Sequence, residues 1–180
     1  MDKKQLRREI KSAIMALSEQ QKSEQSAHVV QAVEAIVRER KPRVLALFSP
    51  LNDEVDVRAL LYLTGCKIVL PRIVNDGSDI AQMEFFEYSS SELCRGAYGI
   101  MEPQAERAYG AGEIDLMVVP GVAFTAAGER MGRGKGYYDR YLSREGFRAY
   151  CVGVCFGCQI CDKLPVEPHD RRMNEVIKGC

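Results

Sequence analysis

The chain has 180 residues, and its 25 lysines and arginines are balanced by 25 aspartates and glutamates, so its overall charge gives no preference for nucleic acid or an anionic membrane. This length and a hydrophobic fraction of 46% fit one globular domain, residues 1–180, with a sizeable core. No run approaches the roughly 18 apolar residues of a membrane span, and the charged start MDKKQLRREIK lacks a secretory signal, which predicts a cytoplasmic protein.

Two helices are predicted at the start of the chain. Apolar residues recur at helical spacing over 6–17. Ser18 and Gln21 have the capping-box pattern for a second helix, which runs to about Arg40. Basic residues crowd the first helix: Lys3, Lys4, Arg7, Arg8 and Lys11. Taken alone, this basic face is an ordinary solvated surface.

Short apolar runs alternate with helical and turn patterns in the rest of the chain. The predicted elements are strands over 44–48, 67–70 (ended by Pro71), 83–88, 116–119 and 150–156, a loop over 49–53, helices over 54–63 and 137–144, and a turn over 75–78. The segment 89–112 is the least regular and is interpreted as a mobile loop over a site. Apolar strands that alternate with helices predict an α/β fold, a single three-layer α/β/α domain with a largely parallel central sheet.

Glycines alternate with cations in Gly132-Arg133-Gly134-Lys135-Gly136, between a predicted strand and a predicted helix. Glycine allows close approach of the backbone, and successive N–H groups in such a turn can form a concave anion site. The helix that follows adds the positive end of its dipole. The spacing is neither that of a P-loop nor that of the dinucleotide-binding motif. A solvated flexible turn is the alternative, but a place at the carboxyl end of a strand favours phosphate.

The residues after this loop leave two interpretations open. Tyr138 and Leu142 are four apart, as in a helix that packs on the core, and Asp139 suits the first turn of that helix. An aspartate beside a phosphate loop is equally suited to Mg²⁺, which prefers carboxylate and phosphate oxygens. Position alone does not decide between a structural aspartate and a metal ligand.

Four of the seven cysteines are closely spaced: Cys151, Cys155, Cys158 and Cys161. Their spacing is also found in iron–sulfur sites, which are held by thiolates. Two of them, however, fall on a predicted buried strand, where free cysteine behaves as a small hydrophobe. We therefore interpret the cysteines as structural.

The segments 115–128 and 130–142, the second of which reads Arg130-Met-Gly-Arg-Gly-Lys-Gly-Tyr-Tyr-Asp-Arg-Tyr-Leu142, closely resemble the signature of the 5-formyltetrahydrofolate cyclo-ligase family. Other segments resemble the family in the same order along the chain: residues 3–7, 52–56 and 165–176. The resemblance implies an enzyme that uses ATP and Mg²⁺ to convert 5-formyltetrahydrofolate into 5,10-methenyltetrahydrofolate. ATP phosphorylates the formyl oxygen, N10 attacks the activated carbon, and ADP and phosphate are released.

The resemblance also implies site residues, matched position by position. ATP contacts are implied for Lys3, Lys4, Arg7, Arg130, Gly132, Arg133, Gly134, Lys135, Gly136, Tyr137 and Tyr138. Folate contacts are implied for Arg7, Ser49, Glu54 and Tyr137. The implied catalytic residues are Arg133, Lys135 and Tyr137, and the implied Mg²⁺ ligands are Asp139 and Asp170. Without the resemblance, Glu54 is a residue of a first helical turn and Asp170 an ordinary loop acid.

Two other classes of function compete with the enzyme. A non-catalytic protein that binds folate or nucleotide on the same fold would not need a metal site, so the pairing of the glycine loop with Asp139 and Asp170 favours catalysis. An RNA-associated protein would use the basic first helix, but the balanced charge argues against it. We expect only small-molecule partners, no nucleic acid or membrane, and a monomer.

Overall fold

Two helices lead into the sheet in a computed structural model that describes residues 2–75, 77, 80–90, 93–96, 101–165, 167 and 171–180. Helix α1 is Lys3–Met15 and helix α2 is Glu19–Arg40. The predicted capping box is confirmed, because the Ser18 hydroxyl accepts from the backbone N–H of Gln21 and the Gln21 side chain accepts from that of Ser18. Within the described residues, none of the helices combines the length and apolar character that a membrane crossing requires.

Eleven strands are described, and seven of them form one sheet. They are β1 Val44–Ala46, β2 Lys67–Val74, β3 Gln82–Glu87, β4 Leu93–Arg95, β5 Met101–Pro103, β6 Ala108–Tyr109, β7 Leu116–Pro120, β8 Ala123–Phe124, β9 Arg130–Met131, β10 Tyr150–Cys155 and β11 Glu175–Lys178. The sheet has the order β11-β10-β7-β1-β2-β3-β6. Neighbours from β11 to β2 are parallel, and β3 pairs antiparallel with both β2 and β6. The prediction of a largely parallel central sheet is confirmed.

Alternate residues of the central strands face two separate cores. On β7, Leu116 and Val118 pack with α1 and α2, whereas Met117 and Val119 pack with the face that holds helix α3, Tyr137–Leu142. A sheet covered on both faces needs apolar residues at consecutive positions, which explains the unbroken apolar runs. The layers are therefore α/β/α, as predicted.

The buried cysteines contribute to these cores. Cys151 and Cys155 lie on β10 and are 4% and 1% exposed. Burial raises the pKa of the Cys151 thiol to about 11, so it stays protonated at neutral pH and packs as an apolar group. All seven cysteines are free thiols, and no group of three or more potential metal-binding side chains occurs among the described residues.

Two predicted boundaries are wrong. The helix expected over 54–63 is only a short 3-10 helix, Arg58–Tyr62, because the Asp56 carboxylate accepts from the N–H of Arg58 and starts the turn there. Strand β2 does not end at Pro71 but continues to Val74. Its pairing with β1 stops at Val69, so proline lies where the strand has lost that neighbour and its missing N–H breaks no ladder.

Other differences are smaller. The expected loop 89–112 contains the short strands β4, β5 and β6. The strand β11 at the sheet edge was not predicted. Of the turn expected over 75–78, only Asn75 and Gly77 lie within the described residues.

Candidate active site

A cavity of about 310 Å³ lies at the carboxyl ends of the parallel strands. Phe48 and Ser49, just beyond β1, form part of its wall, and Pro120 and Gly121, at the end of β7, form another part. The glycine-rich loop, with residues of β2, β3 and β5, completes the lining. This is the edge of an open α/β sheet at which ligands bind.

A hairpin carries the glycine loop to the cavity. The loop does not follow β7 directly, because β8 and β9 intervene as an antiparallel pair and the Val122 N–H donates to the Met131 carbonyl. Gly134 and Gly136 have φ angles of 97° and 67°, a region that disfavours other residues. The helix that follows has only six residues, so its dipole adds less than the sequence suggested.

Helix α1 reaches the loop through Arg7. The Arg7 Nε donates to the Gly132 carbonyl at 3.0 Å, and its guanidinium lies beside Gly134. Lys3 instead forms an ion pair with Glu167 at 2.9 Å, and Lys4 is exposed. Of the three basic residues on α1 that the resemblance implies for ATP, the structure brings only Arg7 to the loop.

Arg133 forms a bridge from the loop to the turn after β1. Its Nη1 and Nη2 bond both carboxylate oxygens of Asp53 at 3.1 and 2.6 Å, and its Nε and Nη2 bond Glu54 Oε1 at 3.1 and 2.9 Å. The other Glu54 oxygen accepts from the Leu51 N–H at 2.9 Å. Both carboxylate oxygens of Glu54, the residue implied for folate, therefore have partners in the protein.

The Arg133 bridge predicts a defined pH dependence of stability. Burial raises the pKa of Asp53, but the hydrogen bonds and charge of Arg133 outweigh this and hold that pKa below its ordinary value of 3.8. A carboxyl group with a lowered pKa stabilises the fold above that ordinary value, and the stabilisation is lost as pH falls through the folded-state pKa. Because Arg133 is 42% exposed, we expect at most about 1 kcal/mol from this pair.

The measurement is urea unfolding of the unaltered chain and Asp53→Asn across a pH series. The difference in free energy of unfolding should be constant above the ordinary pKa of aspartate and shrink in more acidic buffer. Asp162→Asn, a change at an exposed residue outside the cavity, is the control. A difference that grows in acid would contradict the lowered pKa.

Arg130 is the buried cation beneath the loop. Its side chain is 4% exposed, its Nη2 bonds Asp139 Oδ1, and its Nη1 donates to the Pro120 carbonyl at 3.2 Å. Its guanidinium also lies 5.5 Å from the centre of the Tyr138 ring. The two sequence interpretations of Asp139 are compatible, since one carboxylate oxygen serves Arg130 while the residue also lines the cavity.

Lys135, Tyr137 and Ser49 line the same cavity. Lys135 is exposed, and its ammonium group has no ion pair or hydrogen bond to any side chain or backbone group in the described part of the chain. The Arg140 guanidinium lies 5.3 Å from the Tyr137 ring centre and donates to the Lys135 carbonyl. The loop is thus held in place while the Lys135 charge stays available to an anion.

The two residues implied for Mg²⁺ differ in what the structure offers. Asp139 presents a carboxylate that is 40% exposed beside the phosphate loop. Asp170 lies outside the described residues. A single carboxylate fits Mg²⁺, which is commonly held by one or two carboxylates together with substrate phosphates and water.

Several lining residues were missed by sequence reasoning. Apolar residues contribute much of the wall, from β2 and β3 and from the turn after β1: Phe48, Leu51, Pro71, Ile73 and Met83. Nothing in the sequence distinguishes them from core residues. Glu102 on β5 is also part of the lining and is 8% exposed. The sequence did not indicate that Glu102 lines a cavity, because it lies in the segment 89–112, which was expected to be an irregular loop.

Likeness to known proteins extends over almost the whole chain. The model of the 5-formyltetrahydrofolate cyclo-ligase family matches residues 1–179. The chain belongs to this family. A cyclo-ligase of this name from Mus musculus is 31% identical over 190 residues, covering 97% of the chain and 92% of the relative. The Escherichia coli K12 cyclo-ligase is 31% identical over 140 residues, covering 74% and 76%.

Solved structures of cyclo-ligases share the fold. The 5,10-methenyltetrahydrofolate synthetase of Aquifex aeolicus superposes with a TM-score of 0.85 at 30% identity, covering 99% of the chain and 90% of that protein. The synthetase of Mycoplasma pneumoniae gives a TM-score of 0.78 at 26% identity, with 98% of both chains covered. The family resemblance seen in the motifs is confirmed at the level of the fold.

Proposed function

We propose that the cavity behind the glycine loop is where this cyclo-ligase converts 5-formyltetrahydrofolate into 5,10-methenyltetrahydrofolate at the expense of ATP. Membership of the family supports the reaction. The observation that carries the site is that one cavity brings the loop cations together with Ser49 and Glu54, although some 80 residues of chain separate them. Transfer of a phosphoryl group between two substrates requires that the residues that bind the phosphates and those that bind the folate lie close together.

Phosphoryl transfer makes few demands on protein nucleophiles and many on positioning and charge. We assign to Lys135 and the backbone N–H groups of the loop the neutralisation of the phosphoryl group as it moves to the formyl oxygen. Tyr137 lines the same cavity, and we assign it a place between the two ligands. We assign the transferred phosphate to the loop and the folate to the apolar part of the cavity.

In the absence of substrates, Arg133 and Glu54 form hydrogen bonds with each other. Both side chains must therefore give up these bonds before they can bind a substrate. The geometry supports an exchange in which Arg133 turns toward ATP phosphates and Glu54 then accepts folate N–H groups. Arg133 can form charge-assisted hydrogen bonds with phosphate as it does with carboxylate, so binding of ATP would offset the loss of its bonds to Glu54 and Asp53. Arg7, fixed to the Gly132 carbonyl, stays beside the loop throughout.

Asp139 is the described residue that fits Mg²⁺, with phosphate oxygens, water and Asp170 as the remaining proposed ligands. The ion would supply charge neutralisation at the phosphate oxygens. Arg130 fixes the orientation of the Asp139 carboxylate by holding one of its oxygens. We further propose that the protein acts as a cytoplasmic monomer with no nucleic-acid or membrane partner.

A single assay tests the proposal. The protein is incubated with 5-formyltetrahydrofolate, ATP and Mg²⁺, and the absorbance of the methenyl product is followed. A rise that requires all three components supports the enzyme. No rise from protein that still binds folate would instead make it a binding protein on a cyclo-ligase fold.

A further inference from the structure

Glu102 is a buried residue of the cavity whose carboxylate has few partners among the described residues. It is 8% exposed, and its carboxylate has one described partner, the Ile73 N–H at 3.4 Å from Oε1, which is long for such a bond. No described cation pairs with it. Burial of a charge without a partner is unfavourable, so a ligand that supplies positive charge would offset that cost.

Its surroundings keep room for the carboxylate. Gly96 lies against Glu102, and a β-carbon there would collide with the carboxylate group. Ile73, Pro71 and Met83 supply neighbouring apolar parts of the cavity wall. In such surroundings water screens little, so the charge acts on a bound ligand more strongly than it would in bulk solvent.

Glu54 differs from Glu102 in this respect. Arg133 and the Leu51 N–H together satisfy both Glu54 oxygens, and Arg133 neutralises its charge. Of these two carboxylates in the cavity, Glu102 is therefore the one whose negative charge is not compensated by a described residue.

The proposed reaction creates a matching positive charge. Transfer of the phosphoryl group to the formyl oxygen turns the neutral N-formyl group into an iminium phosphate with positive charge on N5. The N10 lone pair then forms the new C–N bond, the C–O bond breaks with its electrons on phosphate, and the N10 proton leaves with that phosphate. The product bridge N5–CH–N10 is a cationic amidinium.

We propose that Glu102 is the counter-charge for this N5–C–N10 unit, favouring its cationic forms over the neutral formyl substrate. The inference rests on the proposed function and adds a catalytic residue to it. A preorganised charge aimed at the place where opposite charge develops lowers the barrier without reorganising during the reaction. If Glu102 has this role, the protein should bind the cationic product more tightly than the neutral substrate.

The test is Glu102→Gln, which keeps shape and hydrogen bonding but removes the charge. We expect kcat to fall by about 100-fold with the KM for 5-formyltetrahydrofolate changed little. Affinity for 5,10-methenyltetrahydrofolate, measured by equilibrium dialysis in mildly acidic buffer where the bridge persists, should fall by about tenfold or more. Affinity for 5-formyltetrahydrofolate should change by less than about threefold, because its formyl nitrogen is neutral.

Controls separate this role from a structural one. Glu102→Asp keeps the charge and should recover part of the lost product affinity, whereas Glu106→Gln removes an exposed charge outside the cavity and should change neither affinity. The melting temperature of free Glu102→Gln should not fall, since a neutral amide is easier to bury than a charge. Equal loss of both affinities, or no loss of either, would overturn the proposal. Failure of the unaltered chain to form product would count against the proposed function instead, because the binding comparison does not depend on turnover.

Discussion

Replacement of Lys135 by alanine is expected to lower kcat/KM for ATP by about 100- to 1,000-fold, the usual consequence of removing one preorganised group that stabilises transition-state charge. Lys135 lines the cavity, is exposed, and has no described partner for its ammonium group. Its charge is therefore available to the phosphoryl group, and its loss creates no buried vacancy. The KM for 5-formyltetrahydrofolate should change little, since the loop is assigned to ATP.

Steady-state kinetics with each substrate varied in turn provide the measurement. Lys163→Ala removes an exposed lysine outside the cavity and serves as the matched control. Lys135→Arg should recover only part of the activity, because a guanidinium fork and a compact ammonium group place their donors differently. Kinetics of Lys135→Ala like those of the unaltered chain would refute the assignment of this loop to phosphoryl transfer.

Replacement of Asp139 by asparagine is expected to raise the Mg²⁺ concentration needed for half-maximal activity by about 10- to 100-fold. The change removes a carboxylate charge from the edge of the phosphate loop but keeps an oxygen that can accept from Arg130. The substitution also removes the charge that neutralises Arg130. Because the Arg130 side chain is only 4% exposed, water cannot replace that partner, and we expect the free energy of unfolding to fall by about 1–3 kcal/mol.

Two readouts distinguish these effects: Mg²⁺ titration of activity and urea unfolding of the free protein. Asp162→Asn, at an exposed residue outside the cavity, should change neither. A variant that is less stable yet needs no more Mg²⁺ would show that Asp139 serves only to hold Arg130. An unchanged stability with a raised Mg²⁺ requirement would support the metal role alone.

Periodicity and composition predicted the central architecture, since each inner strand is an unbroken apolar run covered on both faces. The same reasoning failed where tertiary contacts decide. Pro71 looked like a strand end, but β2 runs past it because the β1 neighbour has already stopped. Glu54 looked like the start of a helix, yet its N–H donates to the Leu51 carbonyl in a separate turn, and the 3-10 helix begins only at Arg58, after the Asp56 carboxylate has accepted from the Arg58 N–H.

The site was predictable to the extent that its chemistry is local. Alternating glycines and cations marked the loop, and both positive φ angles there require glycine. The partners of Arg133 could not be inferred, because Asp53 is 80 residues away and only the fold brings it near. Glu102 gave no signal for a similar reason, since its burial depends on contact with β2 and on the missing side chain of Gly96.

The hairpin that carries the glycine loop is fastened from both ends of the chain. Arg7 bonds the Gly132 carbonyl, and the Met173 N–H donates to the Gly128 carbonyl at 2.8 Å. A nascent chain on the ribosome cannot make the second contact until residue 173 has emerged, more than 40 residues after the hairpin itself. The glycine loop is therefore fully fastened only well after it has been synthesised, and a ligand that binds the fastened loop stabilises the chain only from that point on.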